Sequence, residues 1–571
     1  MPDKNKIERT REMERLFNTH EVRQQMCLDG IWEFQTLTEN KLPDYYTDTM
    51  TVPACWEMAL PYRNYRGLAA YRTTVSLNHE GSIRLLFKGI SHTARVFWDK
   101  NEIGTHYNAY TPFEFILENQ VKGKHELEII VDNRFTENSK LHVPNDYFTY
   151  GGIIRPVFVE ELSEVFIQRV SFTSIYKLKE WSANLQVVLE NLSTETREVI
   201  LEVTLANRKI KKSVKLKEKK REIVRVNITG LEVTSWSLEQ PNLYFLTGEL
   251  YQENVAIDDS IDRVGFRRIS IKKSQIYLNE RPLFIRGINR HEDHGIDGAA
   301  LSLAEMENDL RMIQDLGLNA VRTAHYPNDE RFLDLCDEKG VLVWEEGHAR
   351  IASLEAITDP LFIEQSLTVI DEMLENHQNH PSIGIWGCLN EAASDQIKAA
   401  PVYQKHLDKL KKDKTRLVTY ASDKHSTDLF LNKIDIYSFN CYPMWYGNLT
   451  IADYLKIIQN RMHTLKIAEK PIIISEFGGG AIYNFHDVMN VKWSEEYQAQ
   501  LLTTLLKELE NAQVAGYFIW QFSDTRVSQE GDYNWPITRP KSRNNKGIVD
   551  EYRRPKMGYY AVKEVLNSLN K

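Results

Sequence analysis

Two glutamates stand where short apolar runs of the chain end. Glu391 closes the run SIGIWGCLNE, and Glu476 follows the isoleucines of PIIISEF. Two carboxyl groups can cleave a glycosidic bond when one stays protonated and the other stays ionised. The first delivers a proton to the leaving oxygen, and the second attacks the anomeric carbon. A glutamate at the end of one strand is more often a loop cap, so the prediction depends on whether these strand ends converge.

Other polar residues close runs of the same kind, among them His291, His325 and Tyr442. The Tyr442 hydroxyl could donate to Glu476 and keep that carboxylate ionised. The Asn390 amide could bind the sugar 2-hydroxyl while the oxocarbenium-like state forms. The distance between the carboxyls, about 5–5.5 Å for retention and about 6.5–9.5 Å for inversion, is left open by the sequence.

The region that carries these residues alternates helical and strand patterns from about residue 269 onward. Apolar residues at 303, 306, 310, 313 and 316 form a helical stripe, and VLVWEEG (341–347) predicts a strand. About 300 residues of repeated strand–helix units is the size of a (β/α)8 TIM barrel, whose catalytic groups lie at the C-terminal ends of its strands. We therefore predict that residues 269–571 form a catalytic barrel with these strand ends at one mouth.

The chain upstream of the barrel has the pattern of antiparallel sandwiches. Residues 1–165 contain short alternating strands split by turn formers, which predicts a jelly-roll-like β-sandwich. Residues 166–268 repeat the pattern at a spacing typical of a smaller immunoglobulin-like β-sandwich. A multidomain chain also fits the length of 571 residues, because single cores rarely exceed about 250–300 residues.

The composition argues against several classes of partner. The net charge is −9 and no domain is strongly basic, so nucleic acid is not an expected partner. There is no apolar segment of a secretory signal at the N-terminus and no run of 18 apolar residues, so no membrane association is expected. Five scattered cysteines indicate neither a disulfide framework nor a metal site, and they favour a cytoplasmic location.

Four barrel motifs, in order, resemble those of glycoside hydrolase family 2: RGINRHED (286–293), AVRTAHYPN (320–328), NHPSIGIWGCLNE (379–391) and PIIISEFGG (471–479). Upstream, GIWEF (30–34), VPACWE (52–57) and IIRP (153–156) are also typical of the family, so the resemblance covers most of the chain. It implies that Glu391 is the acid/base and Glu476 the nucleophile of a retaining mechanism that needs no cofactor.

Within the family, the chain is similar to β-glucuronidases. Their Asn-x-Lys element is matched by SRNNKG (542–547), which implies that Asn544 and Lys546 bind the C6 carboxylate of a sugar acid. A hexose would leave this ammonium unpaired, whereas a uronic acid supplies its counter-charge. Arg543, or Arg539 of the same loop, is expected to add a second cation.

The resemblance also implies further substrate contacts, which are less specific. NDYFTYGG (145–152) is similar to the segment of the N-terminal domain that contributes an aspartate to the pocket. This aspartate is Asp146 here, and it is expected to contact the sugar 4-hydroxyl together with His291. Tyr446 is expected at the sugar and Trp520 beneath it as a platform. Arg350, in a short loop after VLVWEE, is expected near C4.

These residues favour a β-glucuronidase acting on small-molecule or oligosaccharide uronides. A β-galacturonidase or a dual hexuronidase stays open, because the Asn-x-Lys element does not contact C4. A β-galactosidase is less favoured, because its substrate would leave Lys546 without a partner. An inactive sugar-binding protein is also less favoured, because it would not need both glutamates. A metal hydrolase is disfavoured because residues 291–294 lack HExxH spacing, so no metal is expected. Family analogy favours a homodimer or homotetramer.

Overall fold

The computed structural model of the protein describes residues 14–531 and 538–569. Residues 1–13, for which the sequence predicts no signal segment, lie outside the described part, as do residues 532–537 and 570–571. Three β-rich or β/α units follow one another along the chain. This architecture confirms the predicted fold class of two sandwiches followed by a barrel.

The first sandwich packs a four-stranded sheet, in the order β1-β12-β5-β9, against a six-stranded sheet, in the order β3-β2-β4-β10-β7-β8. Apolar residues of the facing strands, such as Trp32, Tyr71 and Leu85, fill the space between the sheets. The strands are β1 (Gln24–Cys27), β2 (Gly30–Leu37), β3 (Asp48–Val52), β4 (Leu68–Leu77), β5 (Gly81–Phe87), β6 (Ile90–Ser91), β7 (Thr93–Trp98), β8 (Asn101–Tyr107), β9 (Phe113–Gln120), β10 (Gly123–Asp132), β11 (Gly152–Ile153) and β12 (Val157–Leu162).

The second sandwich pairs a three-stranded sheet, β13-β14-β17, with a four-stranded sheet, β16-β15-β18-β19. Its strands alternate buried and exposed residues, as expected for sheets with one face in the core. The strands are β13 (Val165–Lys177), β14 (Glu180–Asn191), β15 (Arg197–Leu205), β16 (Arg208–Leu216), β17 (Arg221–Leu231), β18 (Tyr244–Gln252) and β19 (Val255–Val264).

The barrel is a parallel sheet of strand segments wrapped by helices. A small antiparallel sheet precedes it, formed by β20 (Ile269–Lys272), β21 (Gln275–Leu278) and β22 (Arg281–Leu283). The barrel strands are β23 (Ile285–Asn289), β24 (Ala320–Thr323), β25 (Leu342–Glu346), β26 (Ile383–Gly387), β27 (Leu417–Thr419), β28 (Ala421–Ser422), β29 (Tyr437–Asn440), β30 (Ile472–Phe477) and β31 (Gly516–Ile519). The helices are α1 (Leu303–Asp315), α2 (Glu330–Lys339), α3 (Leu354–Thr358), α4 (Pro360–His377), α5 (Ala400–Leu410), α6 (Ile451–Leu465), α7 (Glu495–Glu510) and α8 (Met557–Leu569).

The nine strand segments form one sheet in the order β27-β26-β25-β24-β23-β31-β30-β29-β28. The two ends of this order, β27 and β28, are separated only by Tyr420 in the chain. They therefore act as one strand that closes the barrel, so the segments correspond to eight barrel strands. All neighbouring pairs are parallel, and each strand points its C-terminal end at the same mouth.

Local sequence signals explain how the barrel helices begin and end. The Ser302 hydroxyl oxygen accepts from the Glu305 amide, and the Glu305 carboxylate accepts from the Ser302 amide, which is the capping box that starts α1. Helix α2 ends at Lys339 and is capped by Gly340, whose φ of 68° is left-handed and suits glycine. At the other end of the barrel, Ile269 and Leu283 of the small sheet pack on the strand interior and close its floor.

After β31 the chain returns to the mouth through a short antiparallel pair, β32 (Thr525–Arg526) and β33 (Arg543–Asn544). This pair brings the SRNNKG motif back beside the barrel strands. In the described part of the chain, no helix is long and apolar enough to cross a membrane.

Candidate active site

The two predicted carboxyl groups lie at the mouth of the barrel. Glu476 belongs to β30, and Glu391 follows β26 after a short turn. Leu389 and Glu391 in that turn have positive φ values of 52° and 49°, a conformation that costs free energy for residues with a side chain. The turn therefore holds Glu391 in a backbone conformation that a relaxed loop would not adopt.

Glu476 is 4% exposed and receives a hydrogen bond on each oxygen. Arg322 Nη1 of β24 donates to Oε1 at 2.8 Å, and the Tyr442 hydroxyl donates to Oε2 at 2.7 Å. Burial raises the pKa of this carboxyl, while Arg322 and Tyr442 act in the opposite direction. Both contacts are to the ionised form, so they orient this carboxylate and favour its charge, as the predicted role of nucleophile requires.

Arg322 joins most of the polar groups around Glu476. It is fully buried and also binds Glu346 of β25, with Nε at 2.8 Å from Oε1. Its Nη2 donates to Asn390 Oδ1 at 2.8 Å, and its Nη1 donates to Asn289 Oδ1 at 2.9 Å. One guanidinium is thus shared between two buried carboxylates.

Glu391 has different surroundings from Glu476. Asn440 Nδ2 donates to its Oε1 at 2.9 Å, and the orientation of that amide is fixed because Ser475 Oγ donates to Asn440 Oδ1 at 2.7 Å. The contacts within 4.0 Å of Glu391 in the described chain include no cation. Burial, and after it the negative charge of Glu476, raise the pKa of Glu391 to about 7. This carboxyl can therefore stay protonated near neutral pH, as a general acid requires.

The amide of Asn390 is oriented by its neighbours. Its Oδ1 accepts from Arg322 at 2.8 Å and from Asn440 Nδ2 at 3.2 Å. Because both bonds use the oxygen, the amide NH2 is the group left to donate to a ligand between the two glutamates.

The first sandwich contributes Asp146 to the same mouth. Asp146 Oδ1 accepts from Arg350 Nη1, and Oδ2 accepts from Asn544 Nδ2 at 3.2 Å. Burial disfavours the charge of Asp146, but Arg350 and then Arg539 outweigh it and hold the pKa below its usual range. Asn145 binds the same Arg350 nitrogen at 2.6 Å, so the barrel loop and the sandwich are tied together at the pocket.

Two histidines and a tryptophan form the floor beside Glu476. The ring of His325 stacks on Trp520, with centroids 5.1 Å apart and planes 21° apart. His291 lies edge-on to Trp520 at 5.6 Å, and its Nδ1 is 3.2 Å from the Tyr326 hydroxyl. Burial lowers the pKa of His291 to about 3, so this ring is neutral at physiological pH.

Lys546 lies against the aromatic residues on the other side of the mouth. Its ammonium donates to the Tyr446 hydroxyl at 2.8 Å and lies 5.7 Å from the centre of the Tyr442 ring. The residue is only 3% exposed, yet no carboxylate of the described residues lies within 4.0 Å of its Nζ. Tyr446 itself is 63% exposed and forms the outer edge of the mouth.

The two arginines of the C-terminal loop lie in different places. Arg539 Nη2 is 3.7 Å from Asp146 Oδ2, whereas Arg543 Nε is 3.5 Å from Glu551. The structure therefore brings Arg539 to Asp146, whereas Arg543 pairs with Glu551, and a substrate role for Arg543 stays a prediction. The Oδ1 atom of Asn544 is buried and has no hydrogen-bond partner among the described residues.

The side chains of residues 292–294 contact three different partners. Glu292 binds Arg155 at 2.7 Å, and Asp293 accepts from the Tyr150 hydroxyl at 3.1 Å. His294 lies 2.9 Å from Glu305 at the start of α1. These contacts join the first sandwich and α1 to the barrel.

Four residues that orient the two glutamates were not predicted as site residues: Arg322, Glu346, Asn440 and Ser475. Signals existed for two of them. Arg322 interrupts an apolar barrel strand, and a buried arginine requires partners. Asn440 is the last residue of β29, at the polar end of an apolar run.

Comparison with known families gives one consistent result. The profile described as "Glycosyl hydrolases family 2, TIM barrel domain" matches residues 269–571, which is more than half of the 571 residues. "Glycosyl hydrolases family 2" matches residues 165–267, and the sugar binding domain of the same family matches residues 25–162.

Individual relatives support the same grouping. A β-glucuronidase of Streptococcus agalactiae is 26% identical over 586 aligned positions, covering 93% of this chain and 94% of the relative. A family 2 β-galacturonidase of Eisenbergiella tayi, solved with galacturonate, is 41% identical with a TM-score of 0.93, covering 97% of this chain and 99% of the other. A β-D-glucuronidase of Dictyoglomus thermophilum is 25% identical with a TM-score of 0.80, covering 96% and 97%.

Proposed function

The chain belongs to glycoside hydrolase family 2, and we propose that it is a retaining β-hexuronidase. It would remove a terminal β-linked hexuronic acid from small-molecule or oligosaccharide glycosides. The observation that carries this proposal is the buried ammonium of Lys546, which has a phenolic hydroxyl but no carboxylate within 4.0 Å in the described chain.

A buried cation is costly unless an opposite charge lies against it. A substrate carboxylate at C6 would supply that charge, together with a short charge-assisted hydrogen bond. Asn544, two residues away, donates from its amide nitrogen to Asp146 Oδ2 at 3.2 Å, and we assign this amide to the same carboxylate site. A neutral hexose has only a hydroxyl at C6 and would leave the charge of Lys546 uncompensated.

The chemistry follows from the unequal surroundings of the two glutamates. Glu476 Oε attacks the anomeric carbon while the Glu391 carboxyl gives its proton to the glycosidic oxygen, and the aglycone leaves as an alcohol. The covalent ester neutralises Glu476, which removes one of the causes that raise the pKa of Glu391. Glu391 then takes a proton from water, the hydroxide adds to the anomeric carbon, and Glu476 is released as a carboxylate.

The neighbouring residues support this assignment of roles. Arg322 and Tyr442 bind the ionised form of Glu476, so the leaving carboxylate of the second step is stabilised by the same two donors. The NH2 group of Asn390 is positioned to donate to the 2-hydroxyl, a contact that strengthens as positive charge develops at the anomeric carbon.

For C4 we propose galacturonides as the first substrate class and glucuronides as the second. The Eisenbergiella tayi β-galacturonidase shares more sequence with this chain than the two β-glucuronidases described above. The motif around Lys546 contacts C6 and carries no information on C4. The pair of Asp146 and Arg350 is the expected contact for the 4-hydroxyl in either epimer.

The direct test compares 4-nitrophenyl β-galacturonide, β-glucuronide and β-galactoside under the same conditions. We expect kcat/KM for at least one uronide to exceed that for the galactoside by about a hundredfold or more, as a desolvated ion pair requires. Faster turnover of the neutral galactoside would contradict the proposal. Retention is tested separately by NMR, which should show the β-anomer of the sugar as the first product.

Lys546→Met should then reduce kcat/KM for the uronide roughly 30- to 1000-fold, because the substrate carboxylate loses its buried partner. This factor corresponds to a loss of about 2–4 kcal/mol of transition-state stabilisation. Lys492→Met is the matched control. The ammonium of Lys546 lies 6.0 Å from the centre of the Trp445 ring, and that of Lys492 lies 5.5 Å from the same ring but donates to the Trp445 carbonyl. An equal loss in both variants would mean that Lys546 does not bind the substrate carboxylate.

The expected homo-oligomer and cytoplasmic location stay predictions.

A further inference from the structure

A second buried lysine, Lys556, lies ten residues after Lys546 and immediately before α8. Its side chain is fully enclosed, and its ammonium donates to Asp524 Oδ1 at 2.7 Å. It also donates to the carbonyl oxygens of Ala481 at 2.7 Å and Asn545 at 3.4 Å. All three ammonium hydrogens thus have protein acceptors, so this cation is not offered to a substrate.

Asp524 binds the chain on the other side of Lys546. The same Oδ1 that accepts from Lys556 accepts from the Gly547 amide at 3.0 Å. A side chain at position 547 would place its Cβ 2.2 Å from the Asp524 nitrogen, so only glycine allows this approach. The residue before Lys546 and the residue after it are therefore both held by one buried ion pair.

The backbone of Lys546 is tied to the loops that follow two barrel strands. The Gln521 amide donates to the Lys546 carbonyl at 3.0 Å, and the Ala481 amide donates to the Asn545 carbonyl at 2.8 Å. Gln521 follows Trp520, and Ala481 lies five residues after Glu476. The segment that carries Lys546 is thus fixed relative to the nucleophile and the floor of the site.

We propose that Asp524 and Lys556 are positioning residues that set the place of the Lys546 ammonium, and through it the recognition of the C6 carboxylate. This role rests on the proposed hexuronidase function. Both residues are buried, at 1% and 0% exposed, so neither is offered to the substrate. The pair acts by fixing the backbone at 545 and 547, since a flexible loop would let the long Lys546 side chain leave the position of the carboxylate.

The test removes both charges together, as Asp524→Asn with Lys556→Met, because removing one partner alone would leave an uncompensated buried charge and could prevent folding. Asn at 524 can still accept from Gly547, whereas Met at 556 cannot donate to the two carbonyls. We expect kcat/KM for the uronide to fall roughly tenfold to a hundredfold, mainly through KM, as loss of positioning implies.

A double-mutant cycle decides whether the pair acts through Lys546. In a Lys546→Met background, the same two changes should alter kcat/KM by less than about twofold, because the residue that they position is already gone. An equal loss in both backgrounds would overturn the proposal and assign the pair a general structural role. Unchanged activity in the wild-type background would also overturn it.

Two controls separate this proposal from the proposed function. Arg15→Met with Asp334→Asn removes another buried pair, 2.7 Å apart, and should lower stability without changing uronide KM.

Hydrogen exchange of the peptide spanning 543–549 needs no substrate and should accelerate about tenfold or more in the Asp524/Lys556 variant as local opening becomes easier. If the wild type cleaves no uronide, the proposed function fails. Unchanged exchange would show, independently, that the pair does not hold this segment.

Discussion

Replacement of Glu391 by Gln tests the acid/base assignment directly. The change keeps the size of the side chain and its Oε1 acceptor for Asn440, and it removes the carboxyl proton. The wild-type enzyme should lose activity as the pH rises through about 7, the value to which burial and Glu476 raise the pKa of Glu391. The sign follows because the acid must be protonated, and the protonated fraction falls about tenfold for each pH unit above the pKa.

The magnitude depends on how much the leaving group needs a proton. General acid catalysis contributes about 10²- to 10⁴-fold, which corresponds to about 2.7–5.4 kcal/mol at 1.36 kcal/mol per factor of ten. An alkyl uronide should therefore lose kcat/KM by that factor in Glu391→Gln. A dinitrophenyl uronide should lose little in its first step, because dinitrophenolate leaves without protonation.

Stopped-flow absorbance with the dinitrophenyl uronide gives the decisive assay. Glu391→Gln should release one equivalent of dinitrophenolate in a rapid burst and then turn over slowly, since no base activates the water of the second step. Its kcat/KM should no longer fall near pH 7. Equal slowing of the alkyl and dinitrophenyl substrates, or a basic limb that persists near pH 7, would refute the assignment.

Two further changes should move the acid limb of the kcat/KM profile in opposite directions. Tyr442→Phe removes a donor to the ionised Glu476, so the pKa of Glu476 should rise and the acid limb should move to higher pH. The kcat/KM value should fall about tenfold to a hundredfold, as expected for a lost hydrogen bond to a charged group. Glu346→Gln removes the carboxylate that competes with Glu476 for Arg322, so the acid limb should move to lower pH. A shift in the same direction as that of Tyr442→Phe would contradict the sharing of one guanidinium by the two carboxylates.

Residues at strand ends were predictable because their placement follows from local sequence. Apolar runs define the strands, and parallel strands closed into a barrel bring their C-terminal ends to one mouth. Glu391 and Glu476 therefore meet as a consequence of the strand pattern alone. A helical stripe of apolar residues likewise located α1, whose capping signal lies at its first residues.

The Asn-x-Lys element was also visible in the sequence, but its surroundings were not. Which arginine approaches Asp146 depends on how residues 538–544 lie at the mouth, and the structure places Arg539 near Asp146 and Arg543 beside Glu551. Two arginines four residues apart in an irregular loop carry no periodic pattern, so the sequence alone could not separate them.

The sequence by itself determined the fold class and predicted two carboxyl groups at the barrel mouth, because both follow from local patterns of residue types. The cation expected to face a sugar acid followed from the resemblance to a family motif. The tertiary structure decided how those groups are tuned. Arg322 is shared by Glu346 and Glu476, Asp146 reaches the barrel from another domain, and the pKa of Glu391 rises to about 7. Each of these effects comes from burial and from charges brought together across long separations in the chain, and only the folded structure fixes the distances on which they depend.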